Sequence, residues 1–216
     1  MAVLSGHRRL DVGRLIMVPA VAAILFVDLS NLLHNGTPGV AGALRLLGAV
    51  LVCAFYALLI WCYLRRGPAS ATSRSVTAHA AAMAALWLPF AVPLLHGAPP
   101  GAARQAVSDA LLVAGTAWAL WSLHFLSGNL SVLAQVRGLA DRGPYRWVRH
   151  PLYLGEIVSL LGVTVAASSL AAVGLWLVLC GLQAYRALRE EQVLLQALPG
   201  YRDYRRRTAA LVPGLF

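Results

Sequence analysis

Six long apolar runs, separated by short polar breaks or by breaks containing glycine and proline, constrain this 216-residue chain more than any other feature. The runs fall at residues 15–33, 41–64, 79–95, 106–126, 152–167 and 170–189. A helix needs about 20 predominantly apolar residues to cross a bilayer, and lipid offers no hydrogen-bond partner to an open backbone. The pattern therefore predicts an all-α, polytopic membrane bundle of about six transmembrane helices.

The charge distribution predicts how this bundle is oriented. Only 12% of the residues are charged, against 59% that are hydrophobic, which excludes an ordinary water-soluble globule. The net charge of +10 would suggest nucleic acid in a soluble protein, but sixteen of the eighteen arginines flank one side of the predicted spans. Arg45 and Arg104 fall on the other side. We therefore expect both termini in the cytosol and no nucleic acid partner. The absence of lysine beside abundant alanine indicates a GC-rich bacterial source, and hence the inner membrane.

The last two runs are separated by only Ser168 and Ser169, which predicts a tight helical hairpin. The sixth helix should continue beyond the membrane, because helical spacing of apolar residues persists to Leu198, before Pro199 and Gly200 end it. We divide the chain into an N-terminal four-helix membrane region, 1–126, and a C-terminal core, 127–216, within one integrated domain. Gly155, Gly162 and Gly174 would permit close contacts between helices.

Two polar clusters lie at the ends of this hairpin. The sequence GPYRWVRHPLYLGE occupies 143–156, at the start of the fifth helix, and EEQVLLQALPGYRDY occupies 190–204, at the end of the sixth. The start and end of a helical hairpin are neighbours, so we expect the clusters to meet in one cytosolic pocket. Its aromatic rings, carboxylates and Arg149 would suit a sulfonium cofactor with an amino acid tail. The alternative is that these residues are membrane anchors, interfacial aromatics and surface ion pairs.

Together with Gly128-Asn129-Leu130-Ser131, these segments closely resemble the isoprenylcysteine carboxyl methyltransferase and phospholipid methyltransferase family, over roughly residues 125–213. The resemblance implies a methyltransferase that uses S-adenosyl-L-methionine and acts in the bilayer on a lipophilic or small membrane-permeant acceptor. The positions that match the family's cofactor site are Gln135, Arg137, Gly138, Leu139, Ala140, Tyr145, His150, Pro151, Leu152, Tyr153, Glu190 and Glu191. The family's carboxyl methyltransferases carry an arginine four residues before the position of Glu191, where this chain has Ala187, which argues against a prenylcysteine carboxylate substrate.

Three residues are candidates for the chemistry. Methyl transfer from a sulfonium is an in-line displacement, so the protein mainly aligns donor and acceptor and excludes water. A base is needed for an amine or hydroxyl acceptor but not for a carboxylate or thiolate. We predict Glu156 as a substrate-side residue, His150 as a cofactor-site residue or base, and Arg149 as a carboxylate-binding residue. No metal site is predicted, since the histidines and cysteines lack ligand spacing.

Two other functions remain open on the sequence. One is a membrane reductase that resembles the sterol reductases and uses NADPH. The other is a non-catalytic small transporter, with Asp28, Asp109 and His124 forming a polar path. The run RHPLYLG followed by twin glutamates favours the methyltransferase over the reductase, and the concentration of polar residues at one membrane face disfavours the transporter.

Overall fold

A computed structural model describes residues 12–34, 39–65, 71–72, 75–95, 97–126, 135–136 and 139–211 of the chain. Within these ranges the fold consists of seven α-helices, two 3₁₀ helices and one two-stranded ladder. The α-helices are α1 (Val12–His34), α2 (Gly39–Arg65), α3 (Val76–Trp87), α4 (Ala102–Leu126), α5 (Pro151–Ala167), α6 (Leu170–Ala197) and α7 (Tyr201–Arg207). The 3₁₀ helices are Leu88–Leu94 and Gly143–Arg146, and the strands are β1 (Ala71–Thr72) and β2 (Gln135–Val136).

The all-α prediction is confirmed, and all six apolar runs are helical. Helices α2, α4 and α6 are long and apolar enough to cross a membrane, while the apolar segments Met17–Ser30, Val76–Val92 and Pro151–Ala167 are shorter. The protein is an integral membrane protein. Passage of all six segments through the bilayer stays a prediction. The third run changes from α3 to a 3₁₀ helix with Pro89 as its second residue, because proline lacks the N–H that an α-helix interior requires.

Helices α4 and α5 pack closely through small residues. A Cβ on Gly155 would lie 2.7 Å from the Ala119 nitrogen, and one on Gly162 would lie 2.6 Å from the Ser108 carbonyl oxygen. Ser108 Oγ also donates to the Gly162 carbonyl at 2.8 Å. Small residues allow two helix backbones to approach in this way. Nothing described lies within 4 Å of a Cβ built on Gly174, so that glycine serves no such contact within the described fold.

The predicted hairpin between α5 and α6 is present. Ser168 turns the chain with a left-handed backbone, φ 53°, and Arg104 of α4 donates to its Oγ. Trp176 of α6 donates to the Ile157 carbonyl of α5 at 3.1 Å. The start of α5 and the end of α6 therefore lie at the same end of the bundle.

The chain after α6 folds back against the start of α5, which the sequence did not predict. Beyond the short helix α7, Ala209 forms a parallel bridge with Val148. The Arg149 N–H donates to the Ala209 carbonyl at 2.8 Å, and the His150 N–H donates to the Ala210 carbonyl at 3.0 Å. The residues after α7 therefore hold the loop that leads into α5.

Candidate functional site

The twin glutamates and the Arg-His-Pro turn meet at this end of the bundle. Arg149 Nε donates to Glu191 Oε1 at 2.6 Å, and His150 Nε2 lies 3.2 Å from the same oxygen. Arg205 of α7 approaches the other oxygen, with its Nε 3.1 Å from Glu191 Oε2. The Glu191 carboxylate on α6 thus contacts Arg149 in the loop before α5, His150 at the N-cap of α5, and Arg205 on α7.

Arg149 is committed to internal contacts. Besides Glu191, it donates through Nη1 to the Arg205 carbonyl at 3.1 Å and to the Thr208 carbonyl. The side chains of Arg149 and Glu191 are 7% and 6% exposed, so this ion pair is buried. Buried charges need such saturated bonding to offset the loss of hydration. Arg149 therefore ties the tail to α6, in addition to forming part of a cavity wall.

Glu190 forms a second, more open cluster with α5. Tyr153 OH donates to Glu190 Oε2 at 2.9 Å, and His150 Nδ1 lies 3.7 Å from that oxygen. The rings of His150 and Tyr153 are stacked, with centroids 5.4 Å apart and planes inclined by 2°. The Arg186 guanidinium lies 4.7 Å from the centre of the Tyr153 ring, in cation–π range. The Glu190 side chain is 31% exposed, so a ligand could reach its carboxylate.

Glu156, one turn into α5, is held by a polar chain from α6. Gln183 Nε2 donates to Glu156 Oε2 at 2.6 Å, while Arg186 Nη1 donates to Gln183 Oε1 at 2.8 Å. The amide of Gln183 therefore bridges an anion and a cation. This arrangement keeps a carboxylate hydrogen-bonded where lipid or an apolar wall would otherwise make it costly.

A cavity of about 450 Å³ connects these groups to the interior of the bundle. Its polar lining residues come from around α5 and α6: Tyr145, Arg149, His150, Tyr153, Glu156, Gln183, Arg186 and Glu190. Its apolar lining residues include Met17, Ile24, Val52, Phe55, Leu86 and Phe90, from α1, α2, α3 and the 3₁₀ helix that follows α3. The cavity thus has most of its charged groups at one end and a mainly apolar wall elsewhere, to which Asp28, Tyr56, Thr116 and Ser159 add polar groups.

The Gly-Pro-Tyr turn borders the polar end, where Tyr145 lines the cavity. Gly143 has φ +58°, and a Cβ there would lie 2.7 Å from Cγ of Phe125, so both backbone and space require glycine. Tyr204 OH donates to the Tyr145 carbonyl at 2.7 Å and fixes the turn to α7. Burial raises the pKa of the Tyr145 phenol well above its usual value and also raises the pKa of Tyr201 and Tyr204. These phenols therefore stay neutral at physiological pH.

The remaining predicted residues are placed less centrally. Gln135 lies in β2, whose ladder pairs it with Thr72, and Arg137 and Gly138 lie outside the described residues. Leu139 and Ala140 are half-buried and do not line the cavity. Leu152 does line it, while the Pro151 carbonyl accepts a hydrogen bond from Trp118 Nε1 at 2.9 Å. Glu191 takes part in the ion-pair cluster but is not among the cavity lining.

Two important residues were missed by sequence reasoning. Gln183 had a signal, because it is an isolated amide in an apolar helix, three residues before Arg186. Arg205 had none, because it stands in an arginine-rich tail typical of positive-inside anchoring. Among the described residues, no group of three or more His, Cys, Asp or Glu side chains is arranged to hold a metal ion.

The fold and the site define an integral membrane protein of all-α class, in which a polar pocket at one end of a helical bundle opens into an apolar cavity. The model of the family described as phospholipid methyltransferase matches residues 103–199, from α4 to the turn after α6. This match confirms the family resemblance predicted from the motif.

Two curated bacterial relatives are similar to this chain. It is 32% identical over 97 residues to the cobalt-zinc-cadmium resistance protein CzcN of Cupriavidus metallidurans, covering 44% of this chain and 43% of that protein. It is 32% identical over 117 residues to the nickel-cobalt-cadmium resistance protein NccN of Alcaligenes xylosoxydans xylosoxydans, covering 50% of this chain and 53% of that protein. The chain thus spans about half the length of the curated relatives it matches.

Among solved structures, the eukaryotic intramembrane Ras methyltransferase, isoprenylcysteine carboxyl methyltransferase, aligns over 96% of this chain and 87% of its own, with a TM-score of 0.48 and 17% identity.

Proposed function

We propose that the protein is a membrane methyltransferase that uses S-adenosyl-L-methionine and acts on a lipophilic or small membrane-permeant acceptor. The observation that carries the proposal is the single cavity of about 450 Å³ that joins the Glu190 and Tyr153 cluster to an apolar interior. Its volume is within the range of small-molecule sites. The family match over residues 103–199 supports methyl transfer as the reaction.

The residues at the polar end fit the cofactor's functional groups. Glu190 offers a partly exposed carboxylate to an ammonium or to ribose hydroxyls, and the stacked rings of His150 and Tyr153 offer an aromatic face. The cofactor, when bound, supplies an electrophilic methyl group on a positively charged sulfur. The protein's part is to orient that group and exclude water, for which a largely apolar cavity is suited.

Glu156 is the proposed acceptor-side residue. It lines the cavity, and its carboxylate is oriented by Gln183, with Oε2 at 2.6 Å from the amide nitrogen. For an amine or hydroxyl acceptor, a carboxylate so placed can accept the proton that leaves. His150 is the alternative base, but its two ring nitrogens already face Glu190 and Glu191.

We propose a division of labour along the chain. The C-terminal core, 127–216, holds the cofactor, and the N-terminal region, 1–126, forms the acceptor side, because the helices of that region contribute most of the apolar lining. The arginine distribution supports an inner-membrane protein with its termini and cofactor site in the cytosol. The cavity is lined by three carboxylates, Asp28, Glu156 and Glu190, and by two guanidinium groups, Arg149 and Arg186. This balance favours a cationic cofactor over NADPH, whose phosphates are anionic.

The first prediction is that purified protein in detergent binds S-adenosylhomocysteine, the demethylated cofactor, and that Glu190→Gln weakens this binding by roughly tenfold or more. A hydrogen bond to a charged group contributes about 1.5–3 kcal/mol, which corresponds to this range. Isothermal titration calorimetry measures the effect. Asp203→Asn is the matched control, because Asp203 is exposed on α7 and does not line the cavity.

Two outcomes would count against the proposal. One is wild-type protein that shows no heat of binding with S-adenosylhomocysteine but binds NADPH, which would favour the reductase. The other is Glu190→Gln protein that binds the nucleoside as tightly as the Asp203→Asn control.

A further inference from the structure

Asp28 places a carboxylate in an otherwise apolar stretch of α1. It lies within the apolar segment Met17–Ser30 and lines the cavity together with Ile24, Val52 and Phe55. An ionised side chain in a membrane helix is costly and therefore rare, and such groups normally face an internal cavity and pair with another group. Asp28 faces an internal cavity, so the group that pairs with its carboxylate has to be identified.

The other acidic residues on the predicted spans have protein partners. Asp109 accepts from Gln105 Nε2 at 2.7 Å and lies 3.4 Å from Arg45 Nε, and Glu156 accepts from Gln183. For Asp28, no hydrogen bond or ion pair occurs within the part of the chain that the structure describes. The Tyr56 phenol and the hydroxyls of Thr116 and Ser159 also line this cavity, but none of these groups carries a positive charge that would offset the Asp28 carboxylate.

We propose that Asp28 is the specificity residue for the methyl acceptor: it accepts a hydrogen bond from a hydroxyl or ammonium group of an amphiphile whose hydrocarbon part occupies the cavity between α1, α2 and α3. The inference deepens the proposed function and rests on it. Asp28 lies outside residues 103–199, so the family match does not assign it a role. An acceptor with a carboxylate at this position would be excluded, because like charges repel strongly where water is absent.

The test compares three probes that share one alkyl chain: dodecanol, dodecylamine and dodecanoate. The protein is reconstituted in phosphatidylcholine nanodiscs, and its cofactor site is saturated with S-adenosylhomocysteine. Calorimetry then measures probe binding, with empty nanodiscs as the blank. Asp28→Asn keeps the shape of the side chain and removes its charge, and Asp28→Ser is a second, smaller variant. Asp203→Asn again serves as the control for loss of one carboxylate outside the cavity.

We expect wild-type protein and Asp203→Asn to bind dodecanol and dodecylamine about tenfold or more tightly than dodecanoate, which is the scale of one hydrogen bond to a charged group. Asp28→Asn should bind dodecylamine about tenfold more weakly and discriminate against dodecanoate about tenfold less than wild type, the Glu156 carboxylate being retained. Without any probe it should melt at a higher temperature than wild type, because a costly charge has been removed from an apolar wall.

The inference is overturned if wild type binds none of the probes, or if Asp28→Asn and Asp28→Ser rank them as wild type does. These failures are separate from failure of the proposed function. If the proposed function fails, wild-type protein does not bind S-adenosylhomocysteine at all. If only the inference about Asp28 fails, the nucleoside binds normally and only the selection among the three probes is missing.

Discussion

Glu190 and Glu191 are consecutive on α6, and consecutive helix residues point about 100° apart around the axis. Their carboxylates accordingly reach different surroundings: Glu190 meets Tyr153 at the cavity, and Glu191 meets Arg149 and Arg205 behind it. The sequence predicted that both glutamates would lie beside the Arg-His-Pro turn. The sequence could not tell which glutamate would line the cavity and which would form the buried ion pair. That difference depends on the folded tail, in which Arg205 contacts Glu191 and the Thr208 carbonyl accepts from Arg149.

The second prediction follows from this difference. Glu191→Gln should destabilise the protein by about 3–5 kcal/mol, because it leaves the buried guanidinium of Arg149 without its counter-charge. Glu190→Gln should leave stability nearly unchanged, since Glu190 is partly exposed. Unfolding in mixed micelles of a mild detergent and dodecyl sulfate measures both free energies. Equal stability of the two variants would show that Glu191 is not a structural tie.

At the scale of elements, the apolar runs determined the helices well because each run has only one way to satisfy its backbone in lipid. The parts that sequence reasoning missed are short and polar. Helix α7 is rich in arginine, and it is held by two buried tyrosines, Tyr201 and Tyr204, three positions apart. The ladder of β1 and β2 contains two residues per strand. Such elements exist through tertiary contacts, which a local pattern does not reveal.

The third prediction concerns the contact between α4 and α5. Gly162→Ala should destabilise the protein by about 1–3 kcal/mol, because the new methyl group would lie 2.6 Å from the Ser108 carbonyl oxygen and 2.8 Å from the Leu112 nitrogen. Gly174→Ala is the matched control on α6, where nothing described lies within 4 Å of the new carbon. The same micelle unfolding assay applies, and a loss of stability in Gly174→Ala as large as in Gly162→Ala would contradict the assigned contact.

At the scale of the whole molecule, the orientation of the bundle in the membrane must place the polar end of the cavity on the side where the cofactor is available. The polar end of the cavity lies at the start of α5 and the end of α6, and the arginines that flank these positions belong to the group predicted to face the cytosol. A pocket at that end would open to the compartment in which a soluble nucleoside cofactor is available. The helices on the other side of the cavity would present the apolar acceptor path to the bilayer.

The last prediction tests this orientation in cells. Alkaline phosphatase fused after Gly101, between the third and fourth apolar segments, should be active, because the proposed orientation puts this fusion outside the inner membrane, where the disulfides of the phosphatase form. A green fluorescent protein fused after Phe216 should fluoresce, because the proposed orientation puts Phe216 in the cytosol with most of the arginines. The reciprocal fusions, with the two reporters exchanged, serve as controls. An active phosphatase after Phe216 would invert the molecule and place the cluster of Arg149, Tyr153 and Glu190 outside, where the proposed cofactor is not supplied. That single result would leave the geometry of the pocket unchanged but would contradict the function proposed for it.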